Sequence, residues 1–206
     1  MKKMSLAALL ALTVAAPAFA ADFAGPSIEG HLGWDRARAR VSYADEALSG
    51  HDTGLLYGLG IGYDYRIGKA VIGAFASIDD STVKSCLSID TESACLKGGR
   101  DIEVGARLGY VVTPRALIYA KAAYANGRAS ISYRDAAAPA DGFSDHSDRD
   151  GFRLGAGVEY SIVPHAYVKA EYRYTDYKNL RADLAGDEIS LGLSRHQVLG
   201  AIGYRF

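Results

Sequence analysis

The stretch GLLYGLGIGYDY alternates strictly: Leu55, Tyr57, Leu59, Ile61, Tyr63 and Tyr65 fall on one parity, Leu56, Gly58, Gly60, Gly62 and Asp64 on the other. That period of two is the mark of an extended strand with one apolar face. Eight segments of the chain carry it. In RDIEVGARLGYVV, Ile102, Val104, Ala106, Leu108, Tyr110 and Val112 oppose Asp101, Glu103, Gly105, Arg107 and Gly109. In GFRLGAGVEYSI, Phe152, Leu154, Ala156, Val158, Tyr160 and Ile162 oppose Arg153, Gly155, Gly157, Glu159 and Ser161. AYVKAEYRYTDY sets Val168, Ala170, Tyr172 and Tyr174 against Lys169, Glu171 and Arg173. Weaker alternation runs through SIEGHLGWDRAR, AVIGAFASID and LIYAKAAYANGR. The eighth segment ends in GAIGYRF, with Val198, Gly200, Ile202, Tyr204 and Phe206 on one face. The 23 Gly and 14 Tyr suit strands better than helices.

Short turns, RIGK, VTPRA and IVPHA, alternate with long polar stretches around residues 41–52, 79–99, 133–149 and 178–193. Pro114 and Pro164 fall in the short turns, where a missing backbone donor does no harm. This connection pattern predicts an up-and-down meander with one plain end and long loops at the other.

Alternation alone does not exclude a soluble sandwich. The composition of the faces separates the two environments. The polar face is short of the Lys, Glu and Thr that a hydrated sheet would show, and mixes Gly and Ala with sparse charges of both signs. The greasy face ends in Trp34, Tyr65, Tyr110, Tyr174 and Tyr204, as suits the two interfaces of a bilayer. A sheet in hydrocarbon must close to satisfy its edge amides, and eight is an even strand count at the small end of bacterial outer-membrane barrels. The fold class predicted is therefore all-β, an eight-stranded antiparallel up-and-down transmembrane β-barrel. At that size side chains fill the interior. Glu29, Glu103, Arg107, Lys121, Arg153, Glu159, Lys169, Glu171, Arg173 and Arg195 are expected to form an interior network of both signs, since buried charges need partners.

The N-terminus reads as a cleaved signal peptide over residues 1–20, with Lys2 and Lys3, an apolar run, and Ala18-Phe19-Ala20 as the cleavage site. Residues 21–206 then form one barrel domain. No other segment has the uninterrupted apolar length of a spanning helix. Loss of Lys2 and Lys3 takes the formal net charge from −1 to −3, which argues against a nucleic-acid partner. Export places Cys86 and Cys95, in SCLSIDTESAC, in an oxidising compartment, where a disulfide is expected.

The order VTPRALIYAKAAYANG, GFRLGAGVEYSIVPHAYVKAEYRYTDY and GAIGYRF resembles the small outer-membrane β-barrels of the OmpA/OmpX type, in their porin-family subgroup. The resemblance covers nearly all of residues 23–206, and G-x-G-x-E-Y followed by K-A-E-Y-R-Y-T-D-Y is its most specific piece. It implies short periplasmic turns, variable extracellular loops, and a last strand read by the barrel-assembly machinery through Tyr204 and Phe206. Ala201 stands where that signal commonly has Gly. No peptidoglycan-binding domain is expected, so the anchoring role of two-domain relatives does not carry over.

The five histidines, His31, His51, His146, His165 and His196, are the other candidates for chemistry. His146 lies among Ser144, Asp145, Ser147 and Asp148, but a long polar loop is poor support for a hydrolytic site. His51 and His146 are the loop candidates for a haem or metal, and neither shows a pocket in sequence. Gly58, Gly60 and Gly62 lack the GxGxxG spacing of a nucleotide loop and read as room inside a narrow barrel. Arg36, Arg38 and Arg40 fit two readings, contacts to lipopolysaccharide phosphates or a solvated strand extension. The functional expectation is a structural, non-enzymatic outer-membrane surface protein without a cofactor. Its expected partners are outer-membrane lipid, lipopolysaccharide and an extracellular surface ligand. A porin-like channel is the alternative, followed by a haem-binding or lipid-modifying barrel.

Overall fold

The computed structural model describes residues 23–43, 46–89, 92–135, 143–184 and 187–206. The expected signal peptide lies outside them, as do the side chains of Arg40, Cys86 and His146. Nine strands follow in chain order: β1 (Gly25–Tyr43), β2 (Glu46–Ile67), β3 (Ala70–Ser81), β4 (Lys84–Ile89), β5 (Glu92–Thr113), β6 (Ala116–Asp135), β7 (Phe143–Val163), β8 (Ala166–Leu184) and β9 (Asp187–Arg205). Strands β1 and β9 pair, as do β3 and β5, and every pairing is antiparallel, so the sheet closes on itself. Strands β3 and β4 are two pieces of one barrel strand, both lying against β5. At the break between them the ladder is carried on by Thr82 N–H to the Leu55 carbonyl and Gly98 N–H to the Val83 carbonyl, both at 2.9 Å. The nine elements thus build an eight-stranded barrel, and the described residues contain no helix.

The plain end follows from local chemistry. Gly68 takes a φ of 61° in the two-residue turn between β2 and β3, a left-handed conformation that glycine adopts without steric penalty. Pro114 and Pro164 occupy the other two short turns. Both chain ends of the barrel lie at this same end, since Ser27 pairs with Arg205; it is called the terminal end below, and the opposite one the distal end.

The distal end corrects the expectation of long loops. Segments 41–52, 79–99, 133–149 and 178–193 are largely ladder: Val41 pairs with Leu48, Cys86 with Cys95, Ser130 with His146 and Ala182 with Ile189. Apart from the broken strand, the strands run 19–22 residues, about twice the 9–11 that cross a bilayer. Polar side chains there do not stop a strand, because the hydrogen bonds come from the neighbouring backbone.

Burial is inverted relative to a water-soluble sheet. Trp34, Ile61 and Ile202 are 73%, 63% and 65% exposed, whereas Glu103 and Arg153 are fully buried. From Leu55 to Ile67 the outward residues of β2 are all apolar or Tyr. Twelve rises of about 3.3 Å, at a tilt of about 40°, give an apolar band about 30 Å tall, the thickness of a hydrocarbon core. Tyr65, Tyr110, Tyr160 and Tyr204 face outward near the terminal end, and Trp34, Tyr57, Tyr124, Phe152 and Tyr172 near the distal limit of the band. Two aromatic girdles with apolar residues between them suit a bilayer and its interfaces.

Candidate functional site

The lumen is the part of the molecule where chemistry is concentrated. Because outward and inward residues alternate, each strand delivers every second side chain to it. Phe23, Val71, Val111 and Leu117 form a buried apolar plug at the terminal end. Above it Asp64 accepts from Arg107 Nε at 2.7 Å and from Arg205 Nη2 at 3.0 Å. The same two arginines reach Glu159 at 3.0 and 2.8 Å, and Lys169 links Glu159, at 4.0 Å, to Glu29. His31 stands between Glu29 Oε1, 3.0 Å from its Nε2, and Asp79 Oδ1, 2.7 Å from its Nδ1. Arg173 then gathers Asp79 at 2.8 Å, Glu103 at 3.3 Å and Glu171. Lys121 bridges Glu103 at 2.9 Å and Glu171 at 2.7 Å. Arg153 carries the chain from Glu103 to Asp101, and Arg195 from Asp101 to Asp35.

These pairs form one connected path from Asp64, near the terminal end, to Asp35, near the distal end. Among the described residues it joins eight carboxylates to seven Lys or Arg side chains and His31. Both ring nitrogens of His31 face carboxylates, which accept but do not donate. A ring protonated on both nitrogens would donate to both carboxylates and add an eighth cation to the path. Hydroxyls take up remaining acceptor positions: Tyr167 donates to Glu29 at 3.1 Å, Tyr177 to Asp101 at 2.7 Å and Ser77 to Glu103 at 3.0 Å.

The glycines of β2 act as spacers within this packing. A Cβ at Gly60 would lie 3.1 Å from the His31 ring and the Glu29 side chain, closer than neighbours in a packed interior normally sit. No nucleophile–base pair arises at His31, since both its nitrogens are occupied and the nearby Ser77 hydroxyl bonds the Asp79 and Glu103 carboxylates instead.

All ten charged residues singled out by their parity lie in this path. Sequence reasoning missed Asp35, Asp64, Asp79, Asp101, His31 and Arg205. Asp64, Asp101 and Arg205 share the inward parity of their strands, a signal that was available. Asp79 stands both at the end of AVIGAFASID and at the start of the polar stretch around residues 79–99, where alternation does not say which side it joins.

The other candidate residues sit apart from the path. Arg36 and Arg38 project outward from β1 just beyond Trp34, opposite Thr53 and His51 on β2 and His196 and Ser194 on β9. His51 is exposed, and His146 is strand rather than loop, opposite Ser130, so the flexible-loop reading of its surroundings is corrected. Tyr204 and Phe206 both face outward, with ring centroids 5.0 Å apart edge to face. Cys95 is not a free thiol, and Cys86 stands directly across the β4–β5 ladder from it.

A closed barrel with an apolar exterior and a charged interior has a counterpart among known families. The family model described as "outer membrane protein beta-barrel domain" matches residues 4–206. The chain belongs to that family. This outer-membrane barrel is 29% identical over 161 residues to the 31 kDa outer-membrane immunogenic protein of Brucella melitensis, covering 74% of the chain and 67% of the relative. It is 30% identical over 155 residues to the 22 kDa outer membrane protein of Rhizobium leguminosarum, covering 73% and 67%. Among solved structures, Neisserial surface protein A overlaps 86% of the barrel and 97% of its own chain, at 16% identity and a TM-score of 0.47. The Escherichia coli outer membrane protease OmpT overlaps 88% and 97%, at 12% identity and a TM-score of 0.48.

Proposed function

We propose that this protein is a non-catalytic outer-membrane surface barrel whose sealed interior gives mechanical and thermodynamic rigidity while its distal hairpins face the outside. The observation that carries the reading is the connected path of ion pairs through the lumen between the apolar plug at one end and Asp35 at the other. A wide aqueous channel needs a larger barrel, and a hydrolase needs a nucleophile beside a free base, which the His31 surroundings do not offer. Similarity to the 31 kDa outer-membrane immunogenic protein of Brucella melitensis supports exposure of the distal end.

Three finer assignments belong to the same reading. Arg36 and Arg38, outward and just beyond the Trp34 girdle, suit the phosphates of lipopolysaccharide, which arginine binds in bidentate fashion. Tyr204 and Phe206 give the last strand the outward aromatics through which the barrel-assembly machinery would select it. A Cys86–Cys95 bridge would staple the β4–β5 hairpin, and a 2 Da mass gain on reduction checks it.

The test is reconstitution in planar bilayers with lipopolysaccharide in one leaflet. Stable insertion without steady single-channel openings is expected, and regular openings would instead establish the porin-like alternative. In parallel, an Arg36→Gln/Arg38→Gln double variant should retain several-fold less lipopolysaccharide on purification than the parent. Equal retention would leave those arginines as a solvated edge.

A further inference from the structure

The glycines that face the lumen have a packing reason. A Cβ at Gly33 would meet the Val198 carbonyl at 2.3 Å, and one at Gly58 would meet the Ile78 carbonyl at 2.5 Å. Gly30 on β1 and Gly200 on β9 differ: among the described residues they are the glycines that face outward within the apolar band. Nothing lies within 4 Å of a Cβ at Gly30, and at Gly200 the nearest atom is the Lys169 carbonyl oxygen at 3.8 Å. Glycine weakens a strand interior, and here no inward neighbour requires it. The two sit diagonally across one ladder, with Gly30 opposite Ile202 and Leu32 opposite Gly200. They line an open groove of about 730 Å³ on the lipid face, flanked by Tyr57 and Leu59 on one side and Val168 and Ile202 on the other.

Arg36 projects outward six positions distal to Gly30 on the same strand, just beyond Trp34. Six rises of about 3.3 Å at a tilt of about 40° cover about 15 Å of depth, half of a hydrocarbon core of about 30 Å. The groove therefore lies where the chains of the distal leaflet end, and Arg36 where its headgroups begin. The outward neighbours of Arg36 across its two ladders, His51, Thr53, Ser194 and His196, include no carboxylate. Among the described residues the nearest outward carboxylate is Asp176, two strands away on β8.

We infer that this face of the barrel binds one lipopolysaccharide molecule, with a lipid A phosphate on Arg36 and an acyl chain laid in the groove at Gly30 and Gly200. The site rests on the phosphate contacts proposed above for Arg36 and Arg38 and extends them to the chain. Lipid tails and the barrel wall are equally apolar, so their association comes from close packing, which small residues permit. A chain lying where two side chains are missing gains dispersion contacts on three sides in place of one. The charge selects the headgroup. Two arginines side by side on β1 match a phosphate monoester, which carries about −1.5 to −2, better than the single charge of a phospholipid diester. A second copy of the barrel fits less well, because a two-fold contact through this patch would set Arg36 and Arg38 of one copy against those of the other.

Bisphosphorylated lipid A is the probe, titrated into the detergent-folded full chain and counted per barrel by native mass spectrometry. Saturable retention of one molecule per barrel is expected. Gly30→Leu/Gly200→Leu fills the groove with both arginines in place and should weaken retention at least tenfold. Arg36→Gln/Arg38→Gln should do the same with the groove intact, and phosphatidylglycerol should bind the parent at least tenfold more weakly than lipid A. Gly200→Val replaces the groove variant if that loses the heat-modified gel mobility of a folded barrel. If only the arginine variant releases lipid A, the phosphate contacts stand and the groove is overturned as a chain site. If neither variant releases it, or only the groove variant does, the phosphate contacts fall and the proposal falls with them. Equal binding of phosphatidylglycerol overturns the choice of lipopolysaccharide, and a lipid-free dimer in place of the one-to-one complex gives the groove to a second copy.

Discussion

Arg173→Met is expected to lower the unfolding free energy of the bilayer-embedded barrel by about 3–5 kcal/mol, the range for removing one partner of a buried ion pair. Arg173 is 1% exposed and holds three carboxylates, Asp79, Glu103 and Glu171, contributed by three different strands. Methionine fills much the same volume, so packing changes little while the cation disappears. Lys121 and Arg153 still reach Glu103, and His31 still reaches Asp79, but the path loses one positive charge. The matched control is Arg128→Met. Its pair with Asp148 has similar geometry, at 2.8 Å, but is 39% and 47% exposed, and an exposed pair contributes only about 0–1 kcal/mol. Urea unfolding in lipid vesicles, followed by tryptophan emission from Trp34, measures both. Equal losses for the two variants would mean that the lumen is hydrated enough to screen its charges, contrary to the sealed interior. Arg173→Lys should recover only part of the loss, because a single ammonium replaces a planar fork that reaches three acceptors.

The second large effect is on the outer face. Ile61 is 63% exposed and lies midway between the Tyr57 and Tyr65 girdle positions on β2. On a water-soluble sheet, Ile61→Arg would change stability by about 0.5 kcal/mol or less. At the midplane of a bilayer an arginine on the lipid face costs about 2–4 kcal/mol, falling to about 0–1 kcal/mol near the interface. Ile61→Arg is therefore expected to destabilise the barrel in lipid vesicles by about 2–4 kcal/mol, and Ile67→Arg, at the terminal end of the same face, by under about 1 kcal/mol. The same vesicle unfolding assay reads both variants. A flat profile, with both substitutions near zero, would contradict the placement of the apolar band across the membrane.

Much of this architecture is legible in residue parity. The rows Tyr57, Leu59, Ile61, Tyr63 and Val104, Ala106, Leu108, Tyr110 face outward on β2 and β5, while Glu103 and Arg107 face in, as a strand period of two requires. Strand ends were less legible. Asp79 ends AVIGAFASID where a polar run begins, yet it is buried in the lumen and pairs with Asp101 on β5. A polar run marks a loop only where the strand would otherwise have an apolar face to bury. Beyond the membrane band the outward face no longer meets lipid, so hydropathy loses its contrast while the ladder continues. His31 was missed for a different reason: a histidine on a polar face carries no charge that sequence can assign, and its place in the path follows only from the two carboxylates flanking it.

The sequence by itself determined which side chains face lipid and which face the lumen, and how many strands the wall contains. Both are properties of a single strand: its alternation, its length and the turn chemistry at its ends. Only the tertiary structure decided which inward charges meet. Asp35 finds Arg195, 160 residues away, and Glu29 finds Lys169, 140 residues away. Those partnerships depend on the register between β1 and β9 and on reach across the lumen from one wall to another. Closure sets both, because the stagger accumulated around all the strands must match where the last meets the first.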